Sequence, residues 1–446
     1  DDDLIAIKSA LVNEINSDVN VSALVEADIS DDGNIILESA TGTAGLSVIG
    51  TKTRDDQTTS GDFSISGGVL LGNEGADELL GSSSTDQLLG GEGADTLDGG
   101  AGSDVLDGGA GNDVFVASDG DDIIIAGGGN DRLDILANYQ LSGMELDPVS
   151  GSLLLTLNDG ADGHTVTVQG HDTEPLSTVR IYSDSSNYQD YSLDVTFNAS
   201  TNTYAATGDV LTLVAGTSAS EILTGGNSDD RIFGGGGNDR IVGDAGDDLI
   251  AGGDGTDVVD YRGNSSNLTV NLTTGLASSS DIGNDTLTGI EQVRGGSGDD
   301  LLIGNDGDNI LRGEEGDDTL TGGAGDDQLI GGSGTDTVDF SQSDASVNVN
   351  LTKGTASGAE TGSDFLEDIE NVIGGSGNDV ITGSSGDNEI RAGDGNDTLY
   401  GGGGTDSLYG GGGDDLYVAS AGSITVNTGG GSDSLKLLGS LTSWLF

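Results

Sequence analysis

Apolar side chains recur at every ninth position of residues 72–134, and the residues on either side of them are mostly polar. In an extended segment, neighbouring side chains point to opposite faces. Each nine-residue unit therefore predicts a three-residue strand whose middle side chain alone points inward. Two consecutive units then form one coil, and stacked coils form two parallel sheets around a thin apolar core. The inward-facing eighth positions of the first seven units are Leu79, Leu88, Leu97, Leu106, Phe115, Ile124 and Leu133.

The other positions of each unit predict a tight turn between successive strands. Glycine predominates at the first, second and fourth positions, where it permits positive φ angles and lets backbone carbonyl groups approach an ion. The sixth position is Asp in all seven units. The same unit returns at 216–260, at 295–339 and from residue 374 onward. Acidic residues with such regular spacing indicate metal ligands rather than a glycine-rich linker.

This unit resembles the G-G-x-G-x-D-x-U-x nonapeptide of the RTX family, in which U is apolar, over about half of the chain. The resemblance implies a calcium-loaded parallel β-roll. It also implies a protein that leaves the cell unfolded through a type I secretion apparatus and folds outside, where calcium is abundant. The sixth-position carboxylates are the expected calcium ligands: Asp77, Asp86, Asp95, Asp104, Asp113, Asp122, Asp131, Asp230, Asp239, Asp248, Asp257, Asp300, Asp318, Asp327, Asp336, Asp379, Asp397, Asp406, Asp415 and Asp433.

The energetics of this unit also favour a bound cation. One buried apolar side chain per unit is too little to offset the entropy of ordering nine residues. Rows of stacked Asp side chains would repel each other without a cation. Ligand sets made only of oxygen suit calcium better than magnesium, which keeps its waters, or zinc, which prefers His and Cys. We therefore expect the metal-free chain to be largely unfolded. At Glu221, Asn309, Asn388 and Ile424, which replace the sixth-position Asp, we expect weak or absent metal binding.

A larger repeat of 79 residues contains the small one, since 252–330 and 331–409 align without a gap. Each copy contains a 34-residue insertion, at 261–294 or 340–373, that interrupts the nine-residue period. Both insertions contain a V-x-V-N-L or L-T-V-N-L run and a later I-E-x-V run. These runs predict β-rich excursions packed against the roll rather than active loops.

The segments outside the arrays are less regular. In residues 1–60, Leu4, Ile5, Leu11, Val12 and Ile15 have helical spacing, and three β-prone runs follow at 19–27, 34–39 and 46–51. We therefore expect a small α/β module there.

Residues 135–215 predict a β-rich segment that caps an open end of the roll. Its two histidines, His164 and His171, are expected to be ordinary sheet residues, since no third His or Cys accompanies them.

The predicted fold class is therefore all-β dominated, with parallel β-roll (RTX β-solenoid) arrays, β-rich insertions and a small N-terminal α/β module. The expected domains are 1–60 (α/β module), 61–134 (first roll), 135–215 (cap or linker), 216–260 (second roll), 261–294 (insertion), 295–339 (third roll), 340–373 (insertion) and 374–446 (fourth roll with a degenerate end).

Charge limits the possible partners. With 78 acidic and 13 basic residues, the net charge of −65 excludes nucleic acid and anionic membrane surfaces as electrostatic partners. The chain has no Cys and begins without Met, and no apolar run approaches the ~18 residues of a membrane span. We expect part of a longer, secreted bacterial protein, located outside the cell or at its surface.

The sequence favours a structural function over catalysis. It contains no HExxH, GxSxG or GxxxxGK[ST] motif and only two His residues, so we expect no enzyme activity. The first alternative is a calcium-stiffened spacer in an adhesin or biofilm protein, with a cell-surface or matrix partner. The second is a self-assembling S-layer or filament protein held by calcium, and the third is the non-catalytic RTX part of a secreted enzyme. Duplication of a 79-residue module favours the spacer, because copying the unit adds length.

Overall fold

The computed structural model describes residues 25–29, 35–39, 46–47, 62–64, 68–147, 150, 152–160, 163–169, 176–183, 187–193, 195–198, 203–206, 211–419 and 422–438. Within these ranges the regular elements are all strands, as the repeats predict. The helix expected near residues 4–15 lies outside them. The chain forms two compact units, Asp1–Asp194 and Val195–Phe446.

The first unit contains strands β1 to β17, which are two to eight residues long. They are β1 (Val25–Ile29), β2 (Ile35–Ser39), β3 (Leu46–Ser47), β4 (Asp62–Ser64), β5 (Gly68–Glu74), β6 (Glu78–Leu80), β7 (Gln87–Glu92), β8 (Thr96–Asp98), β9 (Val105–Ala110), β10 (Val114–Ala117), β11 (Asp122–Ile125), β12 (Asp131–Ile135), β13 (Gln140–Asp147), β14 (Ser152–Asn158), β15 (Gly163–Val168), β16 (Leu176–Tyr182) and β17 (Tyr188–Ser192).

The chain alternates between two parallel sheets in this unit. One sheet has the order β17-β16-β12-β10-β8-β6-β4 and the other β13-β14-β15-β11-β9-β7-β5-β3. Leu88 pairs with Leu106 in one sheet, and Leu79 with Leu97 in the other. Each coil therefore consists of two nine-residue units. The expected N-terminal β-prone runs overlap β1 and contain β2 and β3, and β1 and β2 form an antiparallel pair.

The second unit contains strands β18 to β47. They are β18 (Val195–Asn198), β19 (Thr203–Ala206), β20 (Leu213–Ala215), β21 (Ile222–Gly226), β22 (Arg231–Phe233), β23 (Gly236–Gly237), β24 (Arg240–Asp244), β25 (Leu249–Ala251), β26 (Asp254–Gly255), β27 (Val258–Asp260), β28 (Thr269–Asn271), β29 (Leu276–Ser279), β30 (Gly283–Thr288), β31 (Gln292–Arg294), β32 (Leu301–Ile303), β33 (Ile310–Glu315), β34 (Thr319–Thr321), β35 (Gln328–Ser333), β36 (Thr337–Asp339), β37 (Val347–Asn350), β38 (Thr355–Gly358), β39 (Gly362–Glu367), β40 (Asn371–Ile373), β41 (Val380–Thr382), β42 (Glu389–Asp394), β43 (Thr398–Tyr400), β44 (Thr405–Gly412), β45 (Leu416–Ala419), β46 (Ser423–Asn427) and β47 (Ser434–Leu437).

Two long sheets make up most of this second unit. The 15-stranded sheet has the order β18-β19-β21-β24-β27-β31-β33-β35-β39-β38-β37-β41-β43-β45-β47, and the 13-stranded sheet the order β20-β22-β25-β30-β29-β28-β32-β34-β36-β40-β42-β44-β46. A separate two-stranded sheet, β23-β26, joins two turns.

The core of each roll consists of the inward rows that the apolar period predicts, one row from each sheet. The eighth-position side chains of the first seven units are at most 1% exposed, and those of the later arrays, such as Leu302, Leu320 and Leu399, are fully buried. Close stacking also fixes the fourth-position glycines. Gly111 has a φ of 144°, and a Cβ atom there would collide with the carbonyl oxygen of Gly93 one coil earlier. A larger residue would force the coils apart.

The segment at 135–215 is β-rich, and its strands are divided between the two units. Strands β13 to β15 form antiparallel pairs that extend one sheet of the first roll beyond β11. Strands β16 and β17 extend the other sheet beyond β12. In the second unit, β18 and β19 pair antiparallel and lie beside β21. Antiparallel strands therefore continue the ladders at these roll ends.

The sequence predicted that the insertions at 261–294 and 340–373 pack against the roll. In the structure their strands instead lie within the sheets. Strands β28, β29 and β30 form an antiparallel meander between β25 and β32, and β37, β38 and β39 form one between β35 and β41. The first meander belongs to the 13-stranded sheet and the second to the 15-stranded sheet. One 79-residue module thus spans an odd number of half-coils, so equivalent strands of the two copies lie in opposite sheets.

Candidate calcium-binding turns

The sixth-position side chains form two buried rows along the roll. Within the arrays, the backbone N–H of most sixth residues donates to a carboxylate oxygen one coil later. Asp95 N lies 2.9 Å from Asp113 Oδ1, and Asp239 N lies 2.7 Å from Asp257 Oδ1. Asp95 and Asp113 are at most 1% exposed. One carboxylate oxygen of each Asp is therefore committed to joining the coils.

The other oxygen distinguishes the turns. In fourteen expected ligands inside the arrays, Oδ2 is buried and accepts no hydrogen bond. A buried ionised oxygen without a partner is strongly unfavourable, so these atoms indicate a bound cation. The fourteen residues are Asp95, Asp104, Asp113, Asp131, Asp230, Asp239, Asp248, Asp257, Asp318, Asp327, Asp336, Asp397, Asp406 and Asp415.

The first-position glycine leaves space beside this oxygen. A Cβ atom on Gly225 would lie 2.8 Å from Oδ2 of Asp230 and 3.0 Å from the carbonyl oxygen of Gly243, one coil later. A carboxylate oxygen and a main-chain carbonyl oxygen therefore face the same small space. This all-oxygen donor set suits a hard cation such as calcium, and the residues of these turns fit the ion.

All fourteen turns share a left-handed backbone at the second position, with φ between 67° at Asp244 and 136° at Gly226. Twelve of these second residues are glycine, but Asp244 and Glu314 adopt the same conformation although it is unfavourable for residues with a Cβ atom. The stacked turn therefore imposes this conformation. We call these fourteen turns the open turns.

In a second group of turns, the sixth-position side chain accepts a hydrogen bond from the second residue of the same turn. The N–H of Ser82 donates to Asp86 Oδ2 at 2.7 Å, and that of Gly296 donates to Asp300 Oδ2 at 2.8 Å. The second residue of each such turn lacks a positive φ. We call these seven the capped turns. Their second- and sixth-position pairs are Ser82–Asp86, Ser118–Asp122, Thr217–Glu221, Gly296–Asp300, Asn305–Asn309, Gly375–Asp379 and Ser384–Asn388.

The two remaining expected ligands lie at the ends of their arrays. Asp77 and Asp433 are both half-buried. Asp77 N donates to Asp95 Oδ1 at 2.8 Å, and Asp433 Oδ1 accepts from Asp415 N at 3.0 Å. Both thus continue the rows, but with greater access to solvent than the interior Asp side chains.

Burial changes the acidity of these carboxyl groups in the absence of metal. Desolvation, with a smaller contribution from neighbouring acidic side chains, raises the pKa of Asp248 to about 8 and that of Asp239 to about 7. The same desolvation raises the pKa of Asp104 to about 6. The rows therefore bind protons readily when no cation neutralises them.

The sequence prediction missed four carboxylates inside the insertions. Asp248 N donates to Asp285 Oδ1, and Asp327 N donates to Asp364 Oδ1. Asp257 N and Asp336 N donate to Oε2 of Glu291 and Glu370, respectively, each at 2.9 Å. The runs G-N-D-T-L and G-S-D-F-L contain the signal, because their Asp and Leu keep the sixth and eighth positions. The longer Glu side chain replaces Asp where the preceding turn is shortened.

A further ladder at the fifth position also escaped the sequence prediction. Here the side chain accepts from the next coil: Asn130 N lies 2.9 Å from Asn112 Oδ1, and Thr335 N lies 2.8 Å from Asp317 Oδ1. The Asn, Asp, Ser and Thr residues common at this position are all suited to accept this bond. The ladder is exposed and needs no metal.

His164 is the one predicted sheet histidine among the described residues, and it lies close to two acids. Its Nε2 is 3.9 Å from both Asp119 Oδ1 and Asp159 Oδ2. Its Nδ1 accepts the N–H of Gly120 at 3.1 Å, so Nε2 of the neutral ring carries the proton. His171 lies outside the described residues.

Comparison with known proteins agrees with this geometry. The family described as RTX calcium-binding nonapeptide repeat (4 copies) matches residues 71–106, 98–133, 216–250, 224–259, 285–320, 303–338, 373–408, 382–417 and 391–426. No curated protein matches the chain. The part of the chain that the structure describes contains no helix long and apolar enough to cross a membrane.

One similar solved structure is the extracellular lipase LipA from Serratia marcescens. The two chains are 18% identical, with a TM-score of 0.19. The match covers 67% of this chain and 38% of the lipase chain, so this chain spans well under half of that protein. A similarity at this level carries no functional argument. The family match and the stacked nonapeptide coils do: the chain contains multiple copies of the RTX calcium-binding nonapeptide repeat, and these repeats form a parallel β-roll that binds multiple calcium ions.

Proposed function

We propose that the chain is an extracellular structural segment whose rolls fold on calcium after type I secretion and act as a stiffened spacer in an adhesin or biofilm protein. The observation that carries the proposal is the set of fourteen buried Oδ2 atoms without hydrogen bonds. A fold that buries these charges without partners needs a cation. Outside the cell, calcium meets that need.

The open turns would hold the ions through Asp Oδ2 and neighbouring main-chain carbonyl oxygens. Bound calcium supplies positive charge between carboxylates that otherwise repel one another. Because both kinds of donor converge only when coils stack, the free energy of calcium binding becomes free energy of folding. The proposal assigns the chain a mechanical role and no catalytic one.

A self-assembling surface layer or filament is the second candidate. The outer faces of both long sheets carry exposed apolar side chains at the meanders. Leu276 is 54% and Leu301 37% exposed in one sheet, and Phe365 is 46% and Val380 40% exposed in the other. Apolar residues on two opposite faces would allow one chain to contact a neighbour on either side.

A calcium titration tests the proposal. Far-UV circular dichroism and light scattering would be recorded together from chelator to about 10 mM calcium, which spans the extracellular affinity range, with magnesium as the control. A coil-to-β transition at constant scattering supports the spacer, and the same transition with rising scattering supports assembly. Absence of any calcium-dependent transition would overturn calcium-driven folding.

A further inference from the structure

The capped turns include two whose sequences match the calcium-binding nonapeptide. GGSGDDLLI at 295–303 and GGSGNDVIT at 374–382 have glycine at positions one, two and four and Asp at position six. Nevertheless, Gly296 and Gly375 lack the positive φ of the open turns. Their N–H groups donate to Asp300 Oδ2 at 2.8 Å and Asp379 Oδ2 at 3.0 Å. In both turns, Oδ2 therefore has a hydrogen-bond donor, whereas Oδ2 of the open turns has none.

Both of these turns directly follow a meander. In most of the roll, a turn stacks on another nonapeptide turn, but these two stack on the chain that enters a meander. Ser297 N donates to Asn264 O at 3.0 Å, and Ser376 N donates to Ser343 O at 3.0 Å. A Cβ atom on Gly296 or Gly375 would collide with those same carbonyl oxygens. The capped backbone thus occurs in both turns that follow a meander, although the sequences of these turns match the consensus.

The following half-coil is capped as well. Asn309 and Asn388 replace Asp, and their Oδ1 atoms accept the N–H of Asn305 at 2.8 Å and of Ser384 at 2.7 Å. Their amide nitrogens donate to Glu291 O at 3.3 Å and Glu370 O at 2.7 Å. A neutral amide that both accepts and donates needs no cation. Each meander is thus followed by one whole coil, 295–312 or 374–391, held by hydrogen bonds alone.

From these contacts we propose that Asp300 and Asp379 bind no calcium despite their consensus sequences. The capped coils then divide the second unit into separate calcium blocks. The blocks are Asp230 to Asp257, Asp318 to Asp336, and Asp397 to Asp415. The inference rests on the proposed function, since it concerns where the calcium of these rolls is located.

The test compares neighbouring Asp residues of one row in the full chain. Asp300 N donates to Asp318 Oδ1 at 2.8 Å, so the two side chains differ by one coil. Calcium per chain would be counted by equilibrium dialysis and atomic emission at saturating calcium, with circular dichroism as a folding check. We expect Asp300→Asn to bind as many ions as the unmodified chain and Asp318→Asn to lose at least one. Asp379→Asn and Asp397→Asn form a second matched pair.

A gain-of-ligand variant guards against misfolding of the first set. Asn309→Asp restores the consensus acid inside a capped turn, and we expect it to add no ion. Loss of calcium by Asp300→Asn equal to that of Asp318→Asn, or an added ion in Asn309→Asp, would overturn the inference. If the unmodified chain bound no calcium, the proposed function itself would fail. This outcome differs from the two results that would overturn only the inference about the capped turns.

Discussion

At the residue scale, the two oxygens of one carboxylate have different partners. Oδ1 of Asp113 accepts the backbone N–H of Asp95, whereas its Oδ2 is buried without a hydrogen bond. Whether Oδ2 is available depends on the φ angle of the residue four positions earlier, not on the Asp itself. The second position of the turn thus controls the chemistry of the sixth.

Glu314 tests this dependence, because it holds a left-handed φ of 79° in an open turn. This conformation destabilises the folded state by roughly 1–2 kcal/mol for a residue with a Cβ atom. Glycine avoids that cost, but the greater conformational entropy of glycine in the unfolded chain offsets part of the gain. We expect Glu314→Gly to raise the free energy of unfolding by about 0.5–1 kcal/mol. The measurement is the urea midpoint at saturating calcium.

Glu315→Gly is the matched control, since Glu315 ends strand β33 with ordinary strand backbone and an exposed side chain. It should lower the midpoint through the entropy of the unfolded chain. Equal shifts of the same sign for both variants would contradict the conformational explanation.

At the element scale, the strands were predictable and the turn classes were not. The nine-residue period gave the strands and the buried eighth positions, because one apolar residue per unit has only one face to occupy. The state of Gly296 could not be read in the same way. Its turn has the same consensus residues as the turn at Gly332, but it stacks on the chain that enters a meander rather than on another nonapeptide turn. Contacts between residues distant in sequence decide this feature.

The two meanders differ at one buried aromatic position. Tyr261 donates its hydroxyl to Asp285 Oδ2 at 2.8 Å in the first, and Phe340 occupies the equivalent place in the second. We expect Tyr261→Phe to destabilise the second unit by about 1–3 kcal/mol, because it removes the donor from a buried carboxylate. Chemical denaturation at saturating calcium would measure the change.

Tyr400→Phe supplies the control for Tyr261→Phe. Tyr400 is half-buried at the end of strand β43, where loss of a hydroxyl should cost little. A Tyr261→Phe variant as stable as the Tyr400→Phe variant would show that the bond to Asp285 contributes nothing.

At the scale of the whole molecule, acid should partly replace calcium. Burial raises the pKa of Asp248 to about 8, of Asp318 to about 7 and of Asp406 to about 6. The metal-free folded state thus binds more protons than the unfolded chain, and its stability rises as pH falls. This contribution is complete below the ordinary Asp pKa of 3.8 and is lost as pH rises through about 6 to 8.

We therefore expect the chain in chelator to gain β-structure by circular dichroism as the pH is lowered from 9 to about 4. Sedimentation at each pH would separate folding from aggregation near the isoelectric point of about 4.1. A metal-free spectrum that stayed unordered over this whole range would contradict the prediction.

The odd number of half-coils in each 79-residue module has a consequence for growth by duplication. Equivalent strands of successive copies lie in opposite sheets, so the exposed Leu276 of one meander and Phe365 of the next belong to different sheets. Insertion or loss of one module would preserve the strand pairing of the ladder. It would also move every later strand from one sheet to the other. Two such events would restore the original arrangement. Whether the number of modules is odd or even thus decides which sheet of the downstream roll carries a given exposed side chain.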